Sequence, residues 1–244
     1  MSNECKPDLS RRRFITGAVG AVASLTVAPG IFLMQTTAQA GTKPGARWGL
    51  LINTNVCGDC NACVTACHKE NGVGSMNRPT TDAQWIRKVE ITDKSTGHTR
   101  SLPVMCQHCE HPPCVDVCPT GASFRREDGI VLVNKHTCIG CRYCMMACPY
   151  KARSFIHEPI TDQLPHAPRG KGTVESCTLC VHRIDEGQRT TACVEACHSE
   201  GNGAMVFGDL NDANSKISRR LAEYGGTAIR ADLGLNPGVR YQGL

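Results

Sequence analysis

The stretch that decides the fold is Cys138-Ile139-Gly140-Cys141-Arg142-Tyr143-Cys144-Met145-Met146-Ala147-Cys148-Pro149. Its cysteines follow C-x2-C-x2-C-x3-C and end on proline. In that spacing a loop sets three thiolates around one iron–sulfur cubane, and the displaced fourth ligates a neighbouring cluster. Working outward, Cys106, Cys109, Cys114 and Cys118 form a second quartet that also ends on a proline, Pro119. Cys57, Cys60, Cys63 and Cys67 repeat the C-x2-C-x2-C-x3-C spacing, and Cys177, Cys180, Cys193 and Cys197 form a last quartet with a wide middle gap. Sixteen of the chain's 17 cysteines are thereby accounted for.

Two other uses of cysteine compete with this reading. A disulfide framework suits short secreted chains and does not repeat a proline-ended cluster run. Paired C-x2-C motifs also build four-cysteine zinc sites, and the last quartet alone fits one. A third cysteine at x2 followed by one at x3 is not a zinc pattern, so the sequence predicts four iron–sulfur clusters of the [4Fe–4S] type.

An internal repeat indicates how the quartets pair. Cys63-Val64-Thr65-Ala66-Cys67-His68-Lys69-Glu70 matches Cys193-Val194-Glu195-Ala196-Cys197-His198-Ser199-Glu200, whereas the second and third quartets share the Cys-Pro ending. The expectation is two nested ferredoxin-like units. Exchanging the fourth cysteine within each gives four ligand sets: Cys57/Cys60/Cys63/Cys197, Cys67/Cys177/Cys180/Cys193, Cys106/Cys109/Cys114/Cys148 and Cys118/Cys138/Cys141/Cys144. No set lacks a thiolate, so neither a three-iron cluster nor an open catalytic iron is expected.

Composition agrees. The 244 residues include only five Phe, two Trp and four Tyr, so bound metal must supply cohesion that aromatic packing does not. The formal charge of +5 falls to +3 without residues 1–40, which carry four basic and two acidic side chains. That is too little for a nucleic-acid binder. Those forty residues read as a twin-arginine signal peptide: Arg11-Arg12-Arg13, an apolar stretch from Gly17 to Met34, and Ala38-Gln39-Ala40 as a cleavage site. A periplasmic location follows as an expectation, and Cys5 is set aside. No G-x-G-x-x-G or P-loop motif occurs.

The coarse fold is expected to be α+β. Strands are predicted over Arg47–Asn53, Gln84–Thr92, Ile130–Val133 and Ala204–Phe207, with a hairpin turn at Asp128-Gly129. Short helices are predicted after Cys67, Cys118, Cys148 and Cys197, and a docking helix over Asn214–Tyr224 that stops at Gly225-Gly226. Glu158–Gly172 reads as a loop. The expected division is an outer unit from 41–105 with 159–213, an inner unit from 106–158, and a docking tail from 214–244. His108, His111, His136 and His182 lie near cysteines, where they either tune cluster potentials or merely face solvent. Lys151 and Arg153 are expected to stabilise cluster charge.

Through Cys106-Gln107-His108-Cys109, Pro112-Pro113-Cys114 and Phe207-Gly208-Asp209-Leu210-Asn211-Asp212, the mature chain resembles the four-cluster subunits of DMSO reductase-type complexes. The segments Gly140–Phe155 and Pro168–Glu175 look most like the DsrO branch, the periplasmic subunits of DsrMKJOP complexes in sulfur-metabolising bacteria. The wider family more often has glycine at the position of Lys151. The resemblance implies electron transfer rather than catalysis by this chain alone. It also implies an NrfD-like quinone-reactive membrane subunit and a periplasmic c-type cytochrome as partners, with an indirect link to a cytoplasmic sulfite-reductase module. A molybdopterin oxidoreductase or a cytochrome nitrite reductase system is the alternative setting.

Overall fold

The run Trp48-Gly49-Leu50-Leu51-Ile52 has no polar alternation, and in the computed structural model it is the centre strand of a sheet with both faces covered. The structure describes residues 45–244; the twin-arginine segment and Cys5 lie outside them. Strand β1 (Trp48–Asn53) pairs antiparallel with β8 (Met205–Asp209) and parallel with β9 (Val239–Gln242). Successive side chains of a strand point to opposite faces. Leu50 and Ile52 accordingly enter the main core with the cysteines, while Leu51 joins Val206 and Ile217 in a second cluster. That second cluster is closed by helix α6 (Lys216–Tyr224), whose only buried residue is Ile217. Ser215 caps it by accepting the Ser218 N–H, and Gly225 ends it at φ 68°.

Three two-stranded ribbons complete the strands: β2 (Ile86–Thr92) with β3 (Thr99–Met105), β4 (Ser123–Arg125) with β5 (Val131–Val133), and β6 (Ser154–Phe155) with β7 (Val174–Glu175). Asp128-Gly129 does turn the β4–β5 hairpin, with Gly129 at φ 86°. The strand expected at 204–207 starts one residue later and runs to Asp209. Strands β3, β4, β6, β7 and β9 are additions. β3 carries Pro103 and opens on polar residues, and the other four are too short for alternation to give much signal.

The helices correct the sequence reading. None starts after a quartet's last cysteine. Helix α1 (Ala62–Glu70) contains Cys63 and Cys67, α2 (Pro113–Asp116) precedes Cys118, α3 (Tyr143–Ala147) stops at Cys148, and α5 (Ala192–Ser199) contains Cys193 and Cys197. At the two inner quartets the reason lies in the prolines. A residue before proline is pushed out of the α region, and Cys148, before Pro149, is extended at φ −75°, ψ 112°. Pro113 instead opens α2, where a missing N–H costs nothing. Helix α4 (Val181–Asp185) fills the wide gap of the last quartet. Helix α1 packs on α5 and α2 on α3, the same pairing of quartets that the internal repeat and the shared Cys-Pro ending indicate. Residues 214–244 fold back on the sheet through α6 and β9. Among the described residues no helix is long and apolar enough to cross a membrane.

Candidate metal centres

None of the sixteen cysteines of the quartets is in a disulfide, and they fall into four groups. One cavity is lined by Cys106, Cys109, Cys114 and Cys148, with Tyr150 and Arg153. A second is lined by Cys118, Cys138, Cys141 and Cys144, with Ser123 and Val174. In both, the fourth thiol comes from the other quartet. The outer quartets interleave in the same way. Burial, then the nearness of Cys197, Cys57 and Cys60, pushes the Cys63 thiol up to about 11. Burial, then Cys177, Cys193 and Cys180, raises Cys67 well above its ordinary value. Gly201 joins the two limbs: a Cβ there would stand 3.0 Å from the Cys197 carbonyl oxygen and 3.2 Å from Cys60 Sγ.

The electrostatics fit a metal centre in each group. Burial, opposed at Cys106 by the charge of Arg153, pushes Cys106 and Cys109 up to about 12, and crowding by Cys114 and Cys148 adds to it. Packed thiols so disfavoured as thiolates ionise when a metal binds them. Orphaned donors fit as well. Arg153 is 5 % exposed, yet its Nε, Nη1 and Nη2 have no partner of good geometry, nor do the Tyr150 hydroxyl and Ser123 Oγ. A buried polar group without a partner costs about 1–3 kcal/mol. Cluster sulfur, an acceptor carrying negative charge, would answer that need for Arg153 and Tyr150, which line the Cys106 cavity.

Backbone N–H groups hold cysteine sulfurs: Ser123 donates to Cys118 Sγ at 3.3 Å, Val174 to Cys138 Sγ at 3.4 Å and Leu179 to Cys177 Sγ at 3.4 Å. At Cys118 burial alone would raise the thiol, but Ser123 and Thr120 more than offset it, and it lies below its ordinary value. Lys88, on β2, donates to the Cys60 carbonyl at 2.9 Å and to that of Gly58, clamping the first cysteine loop. The Thr191 hydroxyl lies 3.2 Å from Cys193 Sγ. None of these residues has a sequence signal, because each acts through backbone atoms or is placed by packing.

The expected tuning residues divide. Arg153 lies between the two inner groups, drawn to Cys114, Cys106 and Cys144 against the cost of burial. Lys151 lines neither inner cysteine cavity; it is exposed, at φ 50°. That left-handed backbone is the conformation that glycine adopts without strain. His108 is buried, its Nδ1 accepts the Val131 N–H at 3.0 Å, and burial with the charge of Arg153 lowers it to about 3. It is a neutral core histidine. His111 and His136 are exposed, so solvent and not a cluster faces them. His182 Nε2 donates to Glu70 Oε1, 2.9 Å away, and the His182 ring lies 4.0 Å from that of His166.

Fold and centres together define an iron–sulfur protein built from interleaved ferredoxin-type cysteine loops. Two family models, both described as 4Fe-4S dicluster domain, match residues 56–122 and 97–210. Over 97 % of its length the chain is 41 % identical to an Hdr-like menaquinol oxidoreductase iron-sulfur subunit of Archaeoglobus fulgidus, of which 98 % is covered. It is 36 % identical to a tetrathionate reductase subunit of Salmonella typhimurium, over 97 % of the chain and 89 % of that protein. With NrfC of Escherichia coli the identity is 38 %, over 93 % and 92 %. The chain belongs to the four-cluster ferredoxin-like family of iron–sulfur electron-transfer subunits, and it holds four [4Fe–4S] clusters.

Proposed function

We propose that the protein carries electrons between an NrfD-like quinone-reactive membrane subunit and a periplasmic redox partner, a c-type cytochrome, in a Dsr-type complex of sulfur metabolism. The ligand sets are the four named above, arranged as two nested units, with every one of the sixteen cysteines a ligand. When bound, each cluster takes up and gives back one electron at a time. The interleaving of thiols carries this reading. Cys148 stands with the second quartet and Cys118 with the third, so neighbouring clusters share short lengths of chain and sit close enough for tunnelling. The similarity to a subunit named for menaquinol oxidation supports the quinone side. The twin arginines support export of the folded, cluster-loaded protein.

The resemblance to tetrathionate reductase and NrfC proteins favours a second setting, a molybdopterin or cytochrome nitrite reductase complex. Affinity purification from membranes of the native host, followed by mass spectrometry, separates the two. Recovery of an NrfD-like protein, a small c-type cytochrome and a sulfite-reductase-linked module supports the Dsr setting. A molybdopterin protein or a multihaem nitrite reductase in their place moves the protein to the second. Recovery of no redox protein would sink both.

A further inference from the structure

Between β5 and Cys138 the chain makes one tight turn. Asn134 accepts the Cys138 N–H on its carbonyl at 3.1 Å and the His136 N–H on Oδ1 at 2.9 Å. His136 is left in solvent, whereas Lys135 is half-buried and its ammonium donates to the Val174 carbonyl at 2.7 Å. Val174 is fully buried. It lines the cavity of Cys118, Cys138, Cys141 and Cys144, and its own N–H donates to Cys138 Sγ. One residue of β7 therefore holds the cation on its carbonyl and a cysteine of that group on its N–H.

The charge of Lys135 is not cancelled. Among the described residues it is in no ion pair, and Glu175, the next residue of β7, is closed at two points by Arg169. Burial lowers Lys135 to about 8, with Glu175 and Cys138 pulling it up and Arg153 and Arg169 pushing it down. At neutral pH it is therefore an ammonium, and one so placed is screened little by salt. Arg153 is drawn to Cys114, Cys106 and Cys144, which belong to both inner groups, so its charge moves both together. The cysteine that draws Lys135 is Cys138. Cys141, of the same group, is the one exposed cysteine among the sixteen described; water screens that edge, and Lys135 is the charge fixed in the interior.

We propose that Lys135 is a tuning residue for one cluster: it raises the potential of the centre held by Cys118, Cys138, Cys141 and Cys144 above that of its inner neighbour. The proposal rests on the electron-transfer reading and adds what sets the step in potential between the two inner centres. In that step one electron passes between them, and one centre is oxidised as the other is reduced. The added electron is negative charge, which a nearby cation stabilises, so the centre beside Lys135 holds it more firmly. Two effects act together: the field of the ammonium, and the hydrogen bond that fixes Val174 with its N–H on Cys138 Sγ. The first needs charge and the second only a donor, so substitution separates them.

The test is a redox titration of the cluster-loaded protein at pH 7, followed by electron paramagnetic resonance. The signal of this centre is identified as the one missing from Cys138→Ser. In Lys135→Met the one-electron equilibrium between the inner centres should shift tenfold away from this centre, which is about 59 mV, while the outer centres stay in place. Lys135→Gln keeps a donor for the Val174 carbonyl without the charge and should shift nearly as far. Lys135→Arg keeps the charge and should restore most of the wild-type value. If Lys135→Met does not load this cluster, the Gln and Arg variants decide alone. Wild-type potentials in Lys135→Gln, equal shifts of both inner centres, or a loss in Lys135→Arg as large as in Lys135→Gln would each overturn the assignment. A purely structural lysine would lower stability in these variants and leave the potentials in place. The electron-transfer reading is tested apart from this: reduced wild-type protein that native host membranes do not reoxidise would sink it whatever the lysine does.

Discussion

The guanidinium of Arg169 closes on the carboxylate of Glu175 in a two-point pair, with Nε to Oε2 at 2.9 Å and Nη2 to Oε1 at 2.7 Å. Both side chains are buried, and Arg169 also donates to the Gly72 carbonyl. The Pro- and Gly-rich segment 158–172 is thus tied to β7 and to the end of α1. Removing one partner of a buried pair leaves a bare charge, which costs roughly 3–5 kcal/mol, whereas an apolar replacement of both can be near neutral. Arg169→Ala is therefore expected to lower the stability of the holo-protein by about that amount. Arg169→Met combined with Glu175→Leu should recover most of it, as denaturant melts followed by circular dichroism would show. Equal losses in the two variants would mean that the pair does not act as a unit.

Arg153 is a buried cation between the inner cysteine groups. Positive charge near a cluster favours its reduced form, so Arg153→Gln should shift the inner clusters to more negative potential. The expected shift is on the order of 60 mV, a tenfold change in a one-electron equilibrium. Arg153→Lys keeps the charge and should move them less. A redox titration monitored by electron paramagnetic resonance reads both, and coincident potentials in Arg153→Gln and wild type would remove the tuning role.

Glu70, at the end of α1, links the halves of the outer cysteine region. Arg183 donates to it at 2.6 and 2.9 Å and His182 approaches at 2.9 Å; against the opposing effect of burial they lower its carboxyl to about 2. Its folded value is depressed, so the stabilisation is fully present above the unfolded value near 4.5 and is lost as pH falls toward 2. The carboxylate is 22 % exposed, so screening leaves about 1 kcal/mol. The stability gap between wild type and Glu70→Gln should accordingly shrink from pH 6 to pH 3 in urea melts. A gap that widens toward low pH would reverse the assignment.

Metal should be structural as well as functional. Ten of the thirty-three residues of the main buried cluster are cysteines, so thiols fill places that aromatic and aliphatic side chains occupy in other cores. Stripping iron with a chelator under oxidising conditions should lower the melting temperature sharply and raise proteolysis around 106–155. Cys138→Ser should lose one inner cluster's signal and most of the electron flow through the assembled complex. Full flow in that variant would show that electrons bypass this centre.

Much of this is legible in the sequence because covalent spacing carries it. C-x2-C-x2-C-x3-C leaves a loop few ways to arrange its thiols, and the match of 63–70 with 193–200 pairs the outer quartets before any coordinates are known. β1, the hairpin at Asp128-Gly129 and the Ser215-to-Gly225 limits of α6 are equally local, each set by an apolar run, a turn dipeptide or a cap. What fails locally is the side on which each helix lies relative to its last cysteine. Proline suits a helix start as well as a helix stop, and at Pro149 it acts as a stop on the residue before it.

The rest is decided by contacts between residues far apart in the chain. Lys88 on the first cysteine loop, Arg169 on Gly72, β9 beside β1 and the orphaned donors of Arg153 and Tyr150 arise from packing, and no periodicity encodes them. The sequence by itself determined the kind of cofactor and the number of clusters, since bonding thiolates to iron depends on residue type and spacing. Only the tertiary structure decided which cysteine reaches the surface and what surrounds it, because exposure is a property of everything packed nearby.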